Sequence, residues 1–339
     1  MTSALVVGGA GYIGSHMVQM LLQEGYDVIV FDNLSRGHRS AVIGGEFIEG
    51  DLLDSHALRG LFCRRQYDVV LHFAALAYVG ESVNAPREYY RNNVVGTLNL
   101  LDAMLDADVK NLIYSSTCAT YGKPVDIPIT EEHPQIPINP YGRSKLMAEQ
   151  LLADYAAAYG LRSISLRYFN AAGCDPEGRL GERHELETHL IPLVLREALR
   201  IRNGGDPADT GLTVFGSDFP TSDGTCVRDY VHVTDLCMAH LAALRRLRED
   251  KVRGSEAFNL GNGCGFSVRE IIETARRVTG IDIRFRQGPP RPGDPPELVG
   301  SSDKAREVLG WSPCYNRIET ILETAWRWQC AASVQRESV

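Results

Sequence analysis

Ala4-Leu5-Val6-Val7-Gly8-Gly9-Ala10-Gly11-Tyr12-Ile13-Gly14-Ser15 opens the chain, and its reading decides the rest. The four apolar residues make a short strand, and residues 15–23 follow with a helical pattern. The glycines at 8, 11 and 14 permit a tight turn between them and let a pyrophosphate approach the helix N-terminus. The flanking strand and helix separate this loop from a chance glycine triplet. A second strand, residues 27–31, ends at Asp32, 18 residues after Gly14. A carboxylate there accepts hydrogen bonds from adenosine ribose hydroxyls and repels an additional phosphate, so NAD is expected rather than NADP. Arg36 and Arg39 lie nearby and weaken that preference.

Working outward, Phe47-Ile48-Glu49-Gly50, Asp68-Val69-Val70-Leu71-His72-Phe73, Asn111-Leu112-Ile113-Tyr114-Ser115-Ser116 and Arg162-Ser163-Ile164-Ser165-Leu166-Arg167 read as further strands. Residues 94–107 and 145–159 carry helix-length patterns. Strands alternating with helices imply an α/β fold with a parallel sheet covered on both faces. Asp51 follows its strand at the place an adenine edge fits, with a helix cap as the competing reading. After about Ala172 the texture changes. Residues 173–187 form a polar stretch rich in Gly, Pro and Arg, which suits a binding loop, and residues 203–211 form a second polar loop. Residues 287–296 hold five prolines and two glycines and are expected to be irregular. The last ten residues are expected to fray.

The 339 residues suffice for one large two-lobed domain or two domains. A net charge of −8 argues against a nucleic-acid footprint but not against an anionic ligand, which local arginines and helix N-termini can hold. The eight cysteines show no metal-binding spacing, so they read as reduced packing residues and no metal is expected. With no basic leader and no apolar run near ~18 residues, a cytoplasmic location and no membrane partner are expected.

Asn139-Pro140-Tyr141-Gly142-Arg143-Ser144-Lys145 carries the chemistry. Tyr141 and Lys145 share one helix face, and an ammonium beside a phenol favours the phenolate. Tyr141 is therefore expected to have a lowered pKa and to act as a base. Taken alone the pair is a weak signal, since most such pairs are solvated helix faces.

Together these motifs resemble the extended short-chain dehydrogenase/reductase family and, within it, the UDP-glucose 4-epimerases. The likeness spans about residues 3–330. It rests on the glycine loop, Asp32-Asn33-Leu34, His72-Phe73-Ala74-Ala75, Tyr89-Tyr90-Arg91-Asn92-Asn93, Tyr114-Ser115-Ser116-Thr117 with Tyr121-Gly122, residues 139–145, Leu166-Arg167-Tyr168-Phe169-Asn170 and Asp223-Gly224-Thr225-Cys226-Val227-Arg228-Asp229-Tyr230. The resemblance implies a Rossmann-type doubly wound sheet at residues 1–172, with a return segment at about 226–262. A smaller α/β substrate domain would comprise 173–225 and 263–330. Gly8, Gly11, Tyr12, Ile13, Gly14, Asp32, Asn33, Asp51, Leu52, Phe73, Ala74, Ala75, Asn92, Lys145 and Phe169 would contact NAD. Tyr141, Lys145 and Thr117 would be catalytic. Asn170, His189, Leu190, Thr213, Val214, Phe215, Arg228, Arg291, Asp294 and Leu298 would hold a UDP-sugar, and a homodimer is implied. Plain structural readings stand beside these: an ion pair for Arg228 and Arg291, a turn cap for Asn170 and Thr117, core for Leu190 and Phe215, and a satisfied surface histidine for His189.

Four positions depart from the family's commonest pattern. Thr117 replaces a serine and Ala77 a lysine, His189 replaces an asparagine near the pyrophosphate, and Leu298 a bulky tyrosine beside the hexose. The resemblance implies 4-epimerisation, with UDP-glucose/UDP-galactose ahead of UDP-xylose/UDP-arabinose or UDP-N-acetylglucosamine. A nucleotide-sugar 4,6-dehydratase would carry Asp-Glu after the threonine, where this chain has Cys118-Ala119, and a UDP-glucuronate decarboxylase would carry Glu at Ala119. A non-enzymatic NAD sensor would not need Tyr141, Lys145 and Thr117 together.

Overall fold

A computed structural model describes residues 2–291 and 294–337. Seven strands form the central sheet: β1 (Ser3–Val7), β2 (Asp27–Asp32), β3 (Glu46–Glu49), β4 (Val69–His72), β5 (Asn111–Thr117), β6 (Arg162–Tyr168) and β7 (Ser255–Leu260). Their order is 3-2-1-4-5-6-7 and all pairs are parallel. Every residue of β1 is buried because both sheet faces are covered, which is why it reads as an unbroken apolar run.

The pleat sends alternate residues to opposite faces. Ala4 and Val6 meet Met17 and Leu21 of α1 (Tyr12–Gln23) and Leu236 and Leu244 of a later helix, Val233–Arg248. Leu5 and Val7 meet residues of α2 (Ser55–Arg64), α3 (Gly96–Asp106) and α4 (Pro140–Tyr159), among them Leu58, Leu100 and Leu152. A separate core joins α5 (Leu190–Arg202) to α7 (Val268–Thr279) and α8 (Ile318–Glu337), the helix at Val233–Arg248 being α6. No helix among the described residues is long and apolar enough to cross a membrane. All eight cysteines are free thiols, with Cys118, Cys174, Cys226 and Cys237 buried.

Three boundaries differ from the sequence expectation. Helix α4 begins at Pro140, because the Asn139 side chain accepts a hydrogen bond from the Gly142 N–H at 2.8 Å and proline suits the first helical position. It ends where Gly160 takes φ +71°. Helix α3 begins at Gly96, after a π-helical turn at Tyr90–Val95 that holds Asn92 and Asn93. Of the last ten residues, expected to fray, 330–337 continue α8 to Glu337, and Ser338 and Val339 lie outside the described residues. In the proline-rich stretch, Gln287 and Gly288 belong to a short strand, Arg286–Gly288, paired with Thr213–Phe215, while Pro292 and Gly293 lie outside the described residues.

Candidate active site

The sheet order reverses between β1 and β4, so the loops leaving their C-terminal ends diverge and open a crevice. Here lies an open cleft. Gly8, Gly11, Asp32, Asn33, Asp51 and Leu52 line one side, and Phe73, Ala74, Ala75 and Asn92 the other. The loop's glycines differ in purpose. Gly8 sits at φ +83°, and a Cβ there would stand 2.3 Å from the Ala74 nitrogen. A Cβ on Gly14 would stand 2.2 Å from the Gly8 carbonyl oxygen. Gly11 has an ordinary φ of −78°, and its Cβ would meet only that same oxygen, at 3.4 Å. The fold requires the first two glycines. The third leaves open the place where a ligand's backbone-hugging group enters, which fits a dinucleotide pyrophosphate.

Asp32 is buried, and its carboxylate accepts from the Ala10 N–H at 2.9 Å and the Leu34 N–H at 2.8 Å. Burial pushes its pKa up, and those two hydrogen bonds oppose the shift. The Asp51 carboxylate accepts from the Asn33 amide at 2.9 Å. It does not cap α2, a role taken by Asp54, so the capping alternative for Asp51 is excluded. Sequence reading missed Ser35, Gly37 and Leu76 on the cleft wall, and treated Arg36 only as a neighbour. A signal existed at Gly37, where a Cβ would stand 2.7 Å from the Ala10 carbonyl carbon. Five expected cofactor residues lie off this wall, Lys145, described below, among them. Tyr12 donates to the Gly173 carbonyl, Ile13 packs on the core, Gly14 backs the loop, and Phe169 packs with Cys118, Tyr121, Ile129 and Leu298.

Farther along, Thr117 ends β5 and Tyr141 and Lys145 descend from the first turns of α4. Tyr141 is half-buried, in edge contact with Tyr89 at 6.4 Å between centroids. The expected lowering of its pKa is corrected. Burial pushes the phenol up to about 12, and only the adjoining Thr117 hydroxyl draws it down. Lys145 explains why: its ammonium donates to the Ser115 carbonyl at 2.8 Å and lies 4.6 Å over the Tyr114 ring. Burial pulls Lys145 itself down to about 7, with Glu149 opposing. Thr117 also accepts from the Ala119 N–H at 3.1 Å, so it caps the following turn while its hydroxyl adjoins the Tyr141 phenol. Asn93, unnoticed as a site residue, donates to Ser144 on α4 at 3.0 Å and thereby ties the π turn bearing Asn92 to the Tyr141 helix.

On the far side, Asn170 donates to the Asp229 carbonyl at 2.9 Å. Arg228 is mostly buried and pairs with Asp294 at 3.4 Å. Arg291 lies 4.3 Å over the Phe215 ring. Leu298 is in register with Arg228 on a neighbouring strand and packs by Phe169. Leu190 packs against the third core, and Val214 turns fully into it, so the side chain of Val214 is removed from any pocket; Thr213 and Phe215 flank it, half-buried. His189 precedes α5 and meets Glu182 and Glu187.

Residues 4–261 match the NAD dependent epimerase/dehydratase family. The chain belongs to that family. It is 52% identical to the UDP-glucose 4-epimerase of Halalkalibacterium halodurans over 324 residues, covering 96% of this chain and 94% of that one. The structure of the Brucella ovis UDP-glucose 4-epimerase in complex with NAD superposes with a TM-score of 0.90 at 50% identity, covering 96% of this chain and 98% of that one. A Stenotrophomonas UDP-glucose 4-epimerase with bound NAD and formylated UDP-arabinopyranose gives 0.92 at 38% identity, covering 99% and 100%. In this family member, the Cys118-Ala119 pair follows the site threonine with no ionisable acid: burial pushes the Cys118 thiol up to about 12.

Proposed function

We propose that this chain catalyses reversible 4-epimerisation of a UDP-sugar, UDP-glucose/UDP-galactose foremost, on an NAD that stays bound through the cycle. The carrying observation is the half-buried Tyr141 phenol beside Thr117, one turn from the buried Lys145, on a helix tied through Asn93 to the Asn92 wall of a cleft with a dinucleotide's cradle at Gly11. The high identity to curated UDP-glucose 4-epimerases over nearly the whole chain supports the same reading.

When bound, NAD supplies a reversible hydride store and a positive ring charge that favours the Tyr141 phenolate. Tyr141 takes the proton of the sugar C4 hydroxyl and returns it once the 4-keto sugar has presented its other face. Thr117 hydrogen-bonds the same oxygen and keeps it in line. Lys145 spends one N–H on Ser115 and keeps two for the nicotinamide ribose. Asp32 and Asp51 with Asn33 hold the adenosine, the loop at Gly8 and Gly11 the pyrophosphate, and Phe73, Ala74, Ala75 and Asn92 the path to the nicotinamide.

Oxidising one carbon and reducing it again from its other face requires a firmly held nucleotide and a mobile sugar. Arg228 and Arg291 supply guanidinium forks for the nucleotide phosphates, with Asp294 and Asn170 as their neighbours. Leu190, Thr213 and Phe215, with the Val214 backbone, line the uridine. Leu298 leaves space beside the hexose, which favours acceptance of UDP-xylose or UDP-N-acetylglucosamine as further substrates. Elimination of water across C5 and C6 lacks its proton carriers at Cys118 and Ala119. The division of labour follows the cores: cofactor on the sheet domain, sugar nucleotide on the α5, α7 and α8 assembly. Exposed Val95 and Met147 beside and on α3 and α4 support a homodimer through those helices.

Tyr141→Phe tests the reading. The variant is expected to fold and retain NAD while turnover falls about 10²- to 10⁴-fold, measured as conversion of UDP-galactose. Undiminished turnover would remove Tyr141 from its role.

A further inference from the structure

Asp229 is fully buried, and the chemistry above does not use it. Both oxygens of its carboxylate face backbone N–H groups. One accepts from Asn262 at 2.8 Å, and the other from Gly263 at 3.1 Å and from Gly300 at 3.3 Å. Asn262 and Gly263 lie on the loop leaving the C-terminal end of β7, while Gly300 follows the short strand Glu297–Leu298. The loop is drawn in tightly: a Cβ on Gly261 would stand 2.5 Å from an Asp229 carboxylate oxygen.

The backbone of Asp229 is engaged as well. Its carbonyl accepts from the N–H and from the side-chain amide of Asn170, each at 2.9 Å, and its N–H donates to the Leu298 carbonyl at 3.1 Å. Arg228 is its chain neighbour. One residue therefore joins Asn170, Arg228 and Leu298, three residues of the sugar-nucleotide side. The Gly300 anchor bears on the wall beside the sugar, since a Cβ on Gly300 would stand 2.1 Å from the Phe169 ring, and Phe169 packs with Cys118 and Leu298.

Among the described residues no cation pairs with this carboxylate. The Arg228 guanidinium is turned to the Val227 carbonyl and to Asp294. The titratable groups around Asp229 are Cys118 and Cys264, whose thiols burial pushes up, with Asp229 adding to each shift. Burial likewise raises Asp229, to about 7, against the pull of its three N–H donors. Protonation here has a geometric consequence. A proton on either oxygen turns an acceptor towards N–H groups that themselves donate, so at least one of the three loses its partner. The bond to Gly300 is the longest and the first to go.

We propose that Asp229 is a positioning residue whose ionised carboxylate staples the β7 loop to the Gly300 turn and so holds Asn170, Arg228 and Leu298 in place for the sugar nucleotide. The proposal rests on the UDP-sugar reading given above and deepens it.

Steady-state kinetics with UDP-galactose at about pH 8 and about pH 6, with bound NAD measured on the same samples, test it. UDP-galactose has no terminal phosphate to titrate over this range. The wild-type KM is expected to rise about fivefold or more from the higher pH to the lower, as the carboxyl takes up its proton. Asp229→Asn keeps the shape and one acceptor oxygen. It is expected to show the raised KM at both pH values, to meet wild type at about pH 6, and at about pH 8 to change kcat by less than about twofold with bound NAD as in wild type. A residue that served stability alone would lower kcat or bound NAD together with affinity. A wild-type KM independent of pH overturns the staple, and that comparison needs no variant to fold. Asp229→Asn with the wild-type KM at about pH 8, or with the pH dependence retained, overturns it too, and each of these results leaves the UDP-sugar reading in place. Wild type that converts no UDP-sugar at either pH overturns both.

Discussion

At the residue scale, Gly8 and Gly11 separate what the fold needs from what the ligand needs. Gly8→Ala places a Cβ 2.3 Å from the Ala74 nitrogen at φ +83°. It is expected to cost about 2–4 kcal/mol of stability, read as a lowered urea midpoint. Gly11→Ala meets only an ordinary contact, so its midpoint should move by less than about 1 kcal/mol. Its NAD affinity should nevertheless fall about tenfold or more, measured by fluorescence titration. A Gly11→Ala protein that binds NAD normally would mean the cradle lies elsewhere. The glycine spacing and Asp32 were legible because each obeys a backbone rule that holds in any context. The Tyr141 pKa was not. Four-residue spacing put Lys145 on the right face, but only the structure reveals that its ammonium is spent on Ser115 and Tyr114. The Glu182–His189–Glu187 contact was illegible too, since it depends on how a polar loop folds back.

At the element scale, α4 carries the proposed base Tyr141 in its first turn, so its start sets where that phenol sits. Asn139→Ala removes the cap at 2.8 Å and is expected to cost about 1 kcal/mol, seen in thermal unfolding. The loosened first turn holds Tyr141, so kcat should fall while KM for UDP-galactose holds. Periodicity over residues 145–159 found this helix but placed its start late, because the first turn is written in cap and proline chemistry rather than in apolar spacing. The strands of the sheet were found for the opposite reason: β1, β2 and β4 are apolar runs buried on both faces, β5 has an apolar centre, and β6 alternates apolar with polar residues. The continuation of α8 to Glu337 escaped because polar residues dominate its end.

At the scale of the whole molecule, three buried histidines set the acid limit. Burial pushes His72 and His232 down to about 3 and His240 down to about 4. A base whose folded pKa is depressed contributes stability that is fully present above 6.5 and is lost as pH falls towards the folded value. Each should therefore cost about 2 kcal/mol by about pH 5, read as a falling urea midpoint between about pH 7 and about pH 5. Asp229 works against this: burial raises it to about 7, so its own penalty is relieved over the same interval. The combined loss from the three imidazoles exceeds the relief at Asp229. An unchanged midpoint would show that these imidazoles are not buried neutral. His232, which meets Thr324 of α8 at 3.0 Å, links the region around the central sheet to the third core, so this loss belongs to the assembly and not to one element.

The central claim is a resident redox cofactor that leaves no net redox change. Its most direct test is incubation of the purified protein with UDP-galactose and no added cofactor, followed by separation of the sugar nucleotides. The account predicts conversion to UDP-glucose with no net change in NADH absorbance. Protein that retains NAD yet leaves UDP-galactose, UDP-xylose and UDP-N-acetylglucosamine all unchanged would contradict it.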